Sequence, residues 1–419
     1  MVCEISRVYA REILDSRGNP TIEVEVETSE GVHGIASVPS GASKGKAEAI
    51  ELRDGGERYH GLGVRRAINS VKTIETKLLG LDVRMQSEID KIMIELDGTE
   101  NKSRLGANAI LGVSLACAKA GALSDKQQLF EYIGGLKANL IPIPFFNIIN
   151  GGKHAGNRLD FQEFMIVPID FKDFKEAVRM GSEIYHALRR RILKEYGKTS
   201  INVGDEGGFA PPMENPREAL DTIMKSIEEM GYDKYIRLAL DPAASNFYDG
   251  NGRYIIAGEA WTKEELFDYY LGLVEDYPIV SLEDPLHEED FEGFKDLAEE
   301  LDIQIIGDDL FTTNMRRLSM GIEKRSGNAI ILKVNQVGTL TEALETGRLA
   351  MRSGYRVQTS HRSGETEDTF ISDLAVAIRC GQIKSGAPCR GERIAKYNRL
   401  IRIEEHLGER AEYPRGLFK

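Results

Sequence analysis

Short apolar runs that end in a polar side chain recur through the second half of this 419-residue chain and constrain its fold most. The run at 329–336, AIILKVNQ, reads as a strand buried on both faces, with Lys333 near its C-terminal end. Other runs end in Asp241, Glu283, Asp308, His361 and Lys384. From Glu283 onward, successive members lie 23 to 28 residues apart, close to the roughly 30 residues of a strand plus a crossover helix.

Amphipathic helix candidates lie between these runs, at 262–277, 288–301, 341–352 and 367–379. Repeated strand–helix units favour parallel strands with the helices outside. The sequence therefore predicts an α/β fold with an eight-stranded β/α barrel, in which residues at the C-terminal strand ends converge on one mouth. Any one of the six polar residues could be a solvated loop residue. Six of them at the ends of successive predicted strands favour a shared cavity.

The barrel is expected to begin with an antiparallel hairpin. The apolar runs IPIPFFNIIN and DFQEFMIVPI are separated only by the polar loop GGKHAGNRL, which is too short for a crossover helix. Before them, residues 1–38 read as a three-stranded meander, and helix candidates follow at 64–79, 84–96, 107–122 and 124–132. We expect an N-terminal α+β capping domain at 1–135 and a catalytic barrel domain at 136–419.

Residues 38–46, rich in Gly, Ser and Lys without periodicity, predict a mobile loop. This loop superficially resembles a phosphate-binding P-loop, but Ser40 stands where the first glycine is required. The net charge of −13 argues against a general nucleic-acid or membrane surface. No apolar run approaches 18 residues, so no membrane span is expected. Four cysteines without a C-x-x-C pair favour reduced thiols in a cytoplasmic protein.

Asp241, Glu283 and Asp308 place three carboxylates at one mouth, where they repel one another unless a cation lies among them. Ligands that offer only oxygen favour Mg²⁺, with Mn²⁺ as a substitute, and disfavour zinc. Lys333 and Lys384 follow around the ring. A neighbouring divalent cation and a second lysine both disfavour the charged form of a lysine, so Lys333 is a candidate base. The alternative, a Schiff-base lysine, has no need of a metal triad.

Other polar residues in loops and strand ends complete the predicted site. Glu206 in GDEGG and Glu163 in QEF are candidate general acids, because two close carboxylates raise the pKa of one of them. Arg362 and Ser363, which follow His361, could grip a phosphate. His154 lies in a glycine-rich loop that could move over a substrate.

The motifs SVPSGAS, NGGKHAGN, VGDEGGFAP, SLEDP, LKVNQ and SHRSGETEDT resemble enolase, the phosphopyruvate hydratase of glycolysis and gluconeogenesis, over essentially the whole chain. The details resemble archaeal and bacterial members most. The resemblance implies a Mg²⁺-dependent lyase that interconverts 2-phospho-D-glycerate and phosphoenolpyruvate plus water. It implies two Mg²⁺ ions per site, the first held by Asp241, Glu283 and Asp308, the second joined by Ser40 when its loop closes over the substrate.

The resemblance also implies the roles of the remaining residues. Lys333 would take the C2 proton, and Glu206, with Glu163 beside it, would assist loss of the C3 hydroxyl. The residues implied in substrate contact are His154, Gln162, Glu163, Lys333, His361, Arg362, Ser363 and Lys384. Lys44 stands where many relatives have Thr. A homodimer or homo-octamer in the cytoplasm is expected.

Two alternatives remain open from the sequence alone. Another member of the same superfamily, such as an acid-sugar dehydratase or a lactonising enzyme, would carry a Lys-x-Lys pair on an early barrel strand, where this chain has Glu163 and Glu206. A catalytically silent structural or binding paralogue would have lost a metal ligand or the base lysine.

Overall fold

The computed structural model describes residues 3–42 and 44–418. Its strands, in chain order, are β1 (Ile5–Leu14), β2 (Pro20–Thr28), β3 (His33–Ser37), β4 (Ile143–Asn150), β5 (Glu163–Pro168), β6 (Ile236–Asp241), β7 (Tyr254–Ile256), β8 (Glu259–Trp261), β9 (Ile279–Glu283), β10 (Gln304–Gly307), β11 (Ala329–Leu332), β12 (Arg356–Ser360) and β13 (Gln382–Lys384). Its helices are α1 (Arg65–Leu78), α2 (Gln86–Asp97), α3 (Ala107–Ser124), α4 (Leu129–Gly134), α5 (Phe174–Tyr196), α6 (Pro216–Met230), α7 (Lys263–Asp276), α8 (Phe291–Glu300), α9 (Met315–Lys324), α10 (Val334–Val337), α11 (Leu340–Arg352), α12 (Phe370–Ala377) and α13 (Gly391–Leu407).

An antiparallel meander of β1, β2 and β3 opens the chain, as predicted. The sequence of β2, PTIEVEVET, alternates in period two, so Ile22, Val24 and Val26 point to one face and are fully buried. The apolar helix α3 packs behind β2 and β3. The N-terminal block is therefore a sheet with one face covered by helices and one face open.

Helix α3 is long and apolar enough to cross a membrane by length and composition, with 83% of its window buried inside the structure. Its sequence contains the polar residues Asn108, Ser114 and Lys119. Its apolar residues are explained by its packing against β2 and β3 in the N-terminal block. The predicted helix at 124–132 is wrong in its start. Helix α3 runs on to Ser124, a turn with Lys126 at φ 55° follows, and α4 begins only at Leu129.

Eight strands close into a barrel in the order β10–β11–β12–β13–β4–β5–β6–β9, as the sequence predicts. Strand β5 runs antiparallel to both β4 and β6, and the other pairs are parallel. The antiparallel first hairpin is confirmed. The reason is the short link between β4 and β5, which reverses the chain without a crossover helix.

This topology brings the chemistry-bearing residues to one end of the barrel. Asp241, Glu283 and Lys384 are the last residues of β6, β9 and β13. Asp308, Lys333 and His361 come directly after β10, β11 and β12. Glu163 begins β5, and because β5 runs the opposite way, its first residue lies at the same mouth.

We propose that the boundary between the two domains falls at residues 135 and 136. Helix α4 ends at Gly134, and a single 3-10 turn, Gly135–Lys137, leads toward β4. Leu136 in that turn is fully exposed, as is usual for a connection between domains.

We predict that Gly34→Ala lowers the free energy of unfolding by about 1–3 kcal/mol, the usual cost of overpacking a well-packed core. Gly34 lies in β3 against α3, and an added Cβ would overlap the carbonyl oxygen of Ala116 and the backbone of Ala120. Gly391→Ala is the matched control, because a Cβ there meets nothing within 4 Å. Urea unfolding of both variants decides the matter, and equal midpoints would contradict the close approach of β3 to α3.

Candidate active site

The Lys384 ammonium lies among three carboxylates at the barrel mouth. Its Nζ is 2.7 Å from both carboxylate oxygens of Glu283, 3.2 Å from Glu163 Oε2 and 3.5 Å from Asp241 Oδ2. All four side chains are buried. Burial lowers the pKa of Lys384, but these three neighbours outweigh it and the pKa is raised well above the ordinary value. The site is therefore built to surround a positive charge with oxygen.

Asp308 stands next to this cluster and pairs with the other lysine. Lys333 Nζ donates to Asp308 Oδ2, while Gln336 Nε2 donates to Asp308 Oδ1 at 2.9 Å. Burial lowers the pKa of Lys333, but Asp308 and Glu283 more than offset that effect, so the pKa is raised. The negative charge of Asp308 in turn contributes to raising the pKa of Asp241 and of Glu283.

The carboxylates of Asp241, Glu283 and Asp308 suit a hard divalent cation. Burial first, and then mutual repulsion, raises the pKa of Asp241 well above its ordinary value, so this side chain lacks enough positive charge around it. Asp241 Oδ1 is buried and finds no hydrogen-bond partner among residues 3–42 and 44–418. A buried carboxylate oxygen without a partner is typical of a metal ligand. Among the described acidic residues, a different set, Asp284, Asp308 and Asp309, has one oxygen each within 4.8 Å of the others.

Asp284 is a residue of this mouth that the sequence-based site prediction did not include. Its two carboxylate oxygens accept the backbone N–H groups of Asp308, at 2.9 Å, and Asp309, at 2.7 Å. It does so from a left-handed conformation, with φ 42°, which is uncommon for a non-glycine residue. The backbone that carries Asp308 is thus held in place from the neighbouring strand. The signal in the sequence was the second acid of SLEDP, directly after Glu283.

Glu163, Glu206 and His154 form a second cluster across the mouth. One ligand atom of each lies within 4.8 Å of the others, and His154 Nδ1 is 3.5 Å from Glu206 Oε1 and 3.7 Å from Glu163 Oε1. Burial and the charge of Glu206 raise the pKa of Glu163 well above normal. Burial also raises the pKa of Glu206, but His361 and His154 outweigh it and the pKa falls well below normal. The pKa values of the two carboxyl groups are thus shifted in opposite directions, that of Glu163 upward and that of Glu206 downward.

Arg393 orients His361 and was also missed from the sequence. Its Nη1 lies 2.6 Å from His361 Nδ1 and also donates to Arg362 O at 2.6 Å. Because a guanidinium only donates, His361 Nδ1 accepts, which places the ring proton on Nε2, 3.3 Å from Glu206 Oε2. Burial lowers the pKa of His361 to about 4 and keeps the ring neutral. Arg393 sits in the C-terminal helix α13, in the stretch RGERIAKYN, and nothing in that stretch by itself indicates a contact with His361.

Arg362 and Ser363 follow His361 into the loop and meet the N-terminal block. Ala42 N donates to Ser363 Oγ at 2.7 Å, and Ser40 N donates to Gly364 O at 2.8 Å. Arg362 forms a buried ion pair with Glu48, at 3.0 Å between Nη1 and Oε2. The predicted loop, of which residues 38–42 and 44–46 are described, thus lies directly on the strand-end residues of the barrel.

Ser40 is held by charged residues of its own block. Its Oγ donates to Glu51 Oε2 at 3.1 Å and accepts from Arg53 Nη2 at 3.0 Å. Lys44 Nζ also reaches Glu51 Oε2, at 3.1 Å. Burial raises the pKa of Glu51, but Lys44 and Arg53 outweigh it, so the pKa is lowered and Glu51 carries its charge. Gln162, another predicted site residue, lies beside Asp241, with 3.5 Å between Gln162 Nε2 and Asp241 Oδ2.

The structure thus brings the sequence-predicted residues to one mouth in two groups. One group surrounds the proposed metal position and comprises Asp241, Glu283, Asp308, Lys333, Lys384 and Gln162. The other comprises Glu163, Glu206, His154 and His361, with Lys384 bridging to Glu163. Ser40, Arg362 and Ser363 lie where the loop of the N-terminal block meets the barrel.

Comparisons with known proteins agree with this arrangement. A family model described as "Enolase, N-terminal domain" matches residues 5–133, and one described as "Enolase, C-terminal TIM barrel domain" matches residues 138–417. The enolase of Methanocaldococcus jannaschii is 60% identical over 97% of this chain and 96% of its own length. That of Methanopyrus kandleri is 60% identical over 99% of both chains, and that of Pyrococcus furiosus is 58% identical over 99% and 98%. With both family models matched in order and these relatives aligned almost end to end, the chain belongs to the enolase family.

Proposed function

We propose that this chain performs the reaction of its family, the interconversion of 2-phospho-D-glycerate and phosphoenolpyruvate plus water, at the mouth of its barrel. The observation that supports the residue assignment is that Lys333, paired with Asp308, and the pair of Glu163 and Glu206 lie at the same barrel mouth. A base and an acid at one site are what an elimination of water requires.

Asp241, Glu283 and Asp308 hold the first Mg²⁺ in this proposal, and Ser40 joins a second when substrate is present. The orphaned Asp241 Oδ1 supports the first position. Bound there, Mg²⁺ would neutralise the negative charge that develops on the substrate carboxylate. The backbone bonds from Asp308 and Asp309 to Asp284 keep one ligand in place.

Lys333 removes the proton from C2 in the forward direction. Its Nζ must be uncharged to accept that proton, whereas the attraction of Asp308 favours the charged form. The Asp308 carboxylate is shared between Lys333 and the proposed metal position. The charge on Lys333 therefore depends on whether Asp308 also binds a divalent cation. Metal binding and base activation are therefore linked through one carboxylate.

The carboxyl pair completes the elimination. As the C2–C3 double bond forms, the C3 hydroxyl leaves and takes a proton from the Glu163 and Glu206 unit, which releases water. The raised pKa of Glu163 keeps a proton available, and neutral His154 and His361 flank Glu206. Lys384 faces the substrate carboxylate, while Arg362 and Ser363 bind the phosphate.

The wider biology follows from the same proposal. A small-molecule pathway enzyme with a net charge of −13 fits the cytoplasm. A homo-oligomer is supported by the open face of the N-terminal sheet, where Tyr9 and Ile35 are 43% and 42% exposed and lie in one row across β1, β2 and β3. Arg7 and Arg11 flank the Tyr9 ring there, so this row combines apolar surface with charge.

We predict that Lys333→Ala abolishes turnover, measured as phosphoenolpyruvate formation by ultraviolet absorbance, while the fold stays intact. The change removes the amine that takes the C2 proton. Lys324→Ala is the matched control, since Lys324 is an exposed lysine outside the mouth that pairs with Glu292 at 3.3 Å and lies over the Phe291 ring at 5.8 Å. Near-normal turnover by Lys333→Ala would eliminate this residue as the base.

We predict that a chelator removes activity and that added Mg²⁺ restores it. The protein should keep its circular dichroism spectrum throughout, because Lys333 pairs with Asp308 and Lys384 with Glu283 without any need for a metal. Chelator saturated with Mg²⁺ beforehand serves as the control. Turnover that persists in the chelator would remove the carboxylate triad from the mechanism.

We predict that Ile35→Asp shifts the protein to a smaller species in analytical ultracentrifugation. The new charge on the open face of the N-terminal sheet would be buried without a partner between subunits. Met320→Asp is the control, because Met320 is 36% exposed on α9 at the outside of the barrel. An unchanged sedimentation coefficient for Ile35→Asp would show that this face does not join subunits.

A further inference from the structure

Glu48 is a buried carboxylate that the mechanism above does not use. It lies in the N-terminal block, just beyond the loop at 38–46, and is 7% exposed. Its side chain reaches the barrel mouth and meets Arg362. A buried carboxylate beside a proposed phosphate-binding arginine needs a reason, because its charge repels the phosphate that the arginine attracts.

Glu48 holds the guanidinium of Arg362 end-on. Its Oε2 accepts from Nη1 at 3.0 Å and its Oε1 accepts from Nη2 at 3.1 Å, while Asn335 Oδ1 also accepts from Nη1 at 3.1 Å. Two parallel bonds fix the plane of a guanidinium as well as its position. They therefore fix the direction of the lateral edge, formed by Nε and Nη2, whose parallel N–H groups match two oxygens of a phosphate.

The same carboxylate also touches the loop and the metal side of the site. Glu48 Oε1 accepts from Gly45 N at 3.1 Å and from Gln336 Nε2 at 3.4 Å. Gln336 Nε2 donates in addition to Asp308 Oδ1. One side chain of the N-terminal block thus connects the loop, the arginine and, through Gln336, a proposed metal ligand.

We propose that Glu48 is a positioning residue that pre-orients Arg362 for the substrate phosphate. The proposal rests on the function proposed above, in which Arg362 binds that phosphate. Glu48 does not touch the reacting carbons, and it acts by removing rotational freedom from a long side chain before the substrate arrives. Glu48 thereby fixes the orientation of Arg362, while its negative charge partly offsets the attraction of Arg362 for a phosphate.

A role through charge and a role through orientation predict opposite changes in phosphate affinity, so the proposal can be tested. If Glu48 acted through charge alone, Glu48→Gln would remove a repulsion and tighten phosphate binding. If it acts by orientation, Glu48→Gln loses one acceptor and the ionic fork, and phosphate binds more weakly. Because the phosphate is bound similarly in the substrate and in the transition state, the loss falls mainly on KM.

The test compares wild type and Glu48→Gln in two measurements. The first is the KM and kcat for 2-phospho-D-glycerate at saturating Mg²⁺, and the second is the Kd for inorganic phosphate at the same Mg²⁺ by calorimetry. We expect KM and the phosphate Kd to rise about tenfold, the effect of losing one charge-assisted hydrogen bond. We expect kcat to change less than threefold. Values within twofold of wild type, or tighter phosphate binding, would overturn the proposal.

A second variant and a control separate positioning from general destabilisation. Glu48→Asp keeps the charge but is one methylene too short to reach both nitrogens, so we expect the phosphate Kd to rise at least threefold. This variant decides the matter if Glu48→Gln does not fold, and an unchanged Kd overturns the proposal. Glu342→Gln breaks the ion pair with Lys102, at 2.9 Å between the same two parts of the chain, and should leave KM and the phosphate Kd unchanged.

The phosphate titration also keeps this proposal distinct from the proposed function. A wild-type protein without turnover would contradict the function, yet its phosphate Kd relative to that of Glu48→Gln would still judge the role of Glu48. Conversely, normal turnover in wild type with an unaltered phosphate Kd in both Glu48 variants would leave the function standing and remove the positioning role.

Discussion

The structure is organised around carboxylates buried at one end of a barrel and neutralised by two lysines. Asp241, Glu283 and Asp308 are each less than 10% exposed, and like charges at this depth repel strongly because little water screens them. Lys384 and Lys333 supply compensating positive charge through their contacts with Glu283 and Asp308. These lysines share oxygens with the proposed metal position, so in the proposed mechanism metal binding and the charge on Lys333 are linked.

The direction of the barrel strands explains why so many charged residues meet at one end. Parallel strands deliver their C-terminal residues to one end, and the antiparallel β5 delivers its first residue, Glu163, to that end as well. The interior beneath the site is packed, partly by the cluster of Ile306, Ala329 and Ile331 and partly by Gln304 and Gln382, whose amides bond to each other in both directions at 2.9 Å. Rigid strands with satisfied polar groups can hold charges in positions that a flexible loop could not maintain.

The sequence predicted what depends on local pattern and failed where remote segments meet. The strand ends could be predicted because apolar runs that end in an acid or a lysine recur at regular spacing, as at Glu283 and Asp308. Asp284 was visible in the sequence but not interpretable, since its role depends on a left-handed backbone that turns its carboxylate toward two amides of the next strand. Arg393 and Glu48 lie far along the chain from their partners, His361 and Arg362, and only the folded structure shows those contacts. The opposite pKa shifts of Glu163 and Glu206 likewise depend on burial and on two histidines from other segments, His154 and His361.

Contacts between the N-terminal block and the barrel decide whether the site is complete. Lys119 pairs with Asp368 at 2.7 Å and Lys102 with Glu342 at 2.9 Å, and both pairs join helices or loops of the block to the barrel. Ser40 and Gly364 add a short antiparallel bridge at the mouth itself. Because the block supplies Ser40 and Glu48 while the barrel supplies the lysines and the proposed metal ligands, a shift of the block by the length of one hydrogen bond would separate Arg362 from the Glu48 carboxylate. The capping block therefore contributes directly to the proposed site, through Glu48 and the loop that carries Ser40, and does more than cover the barrel.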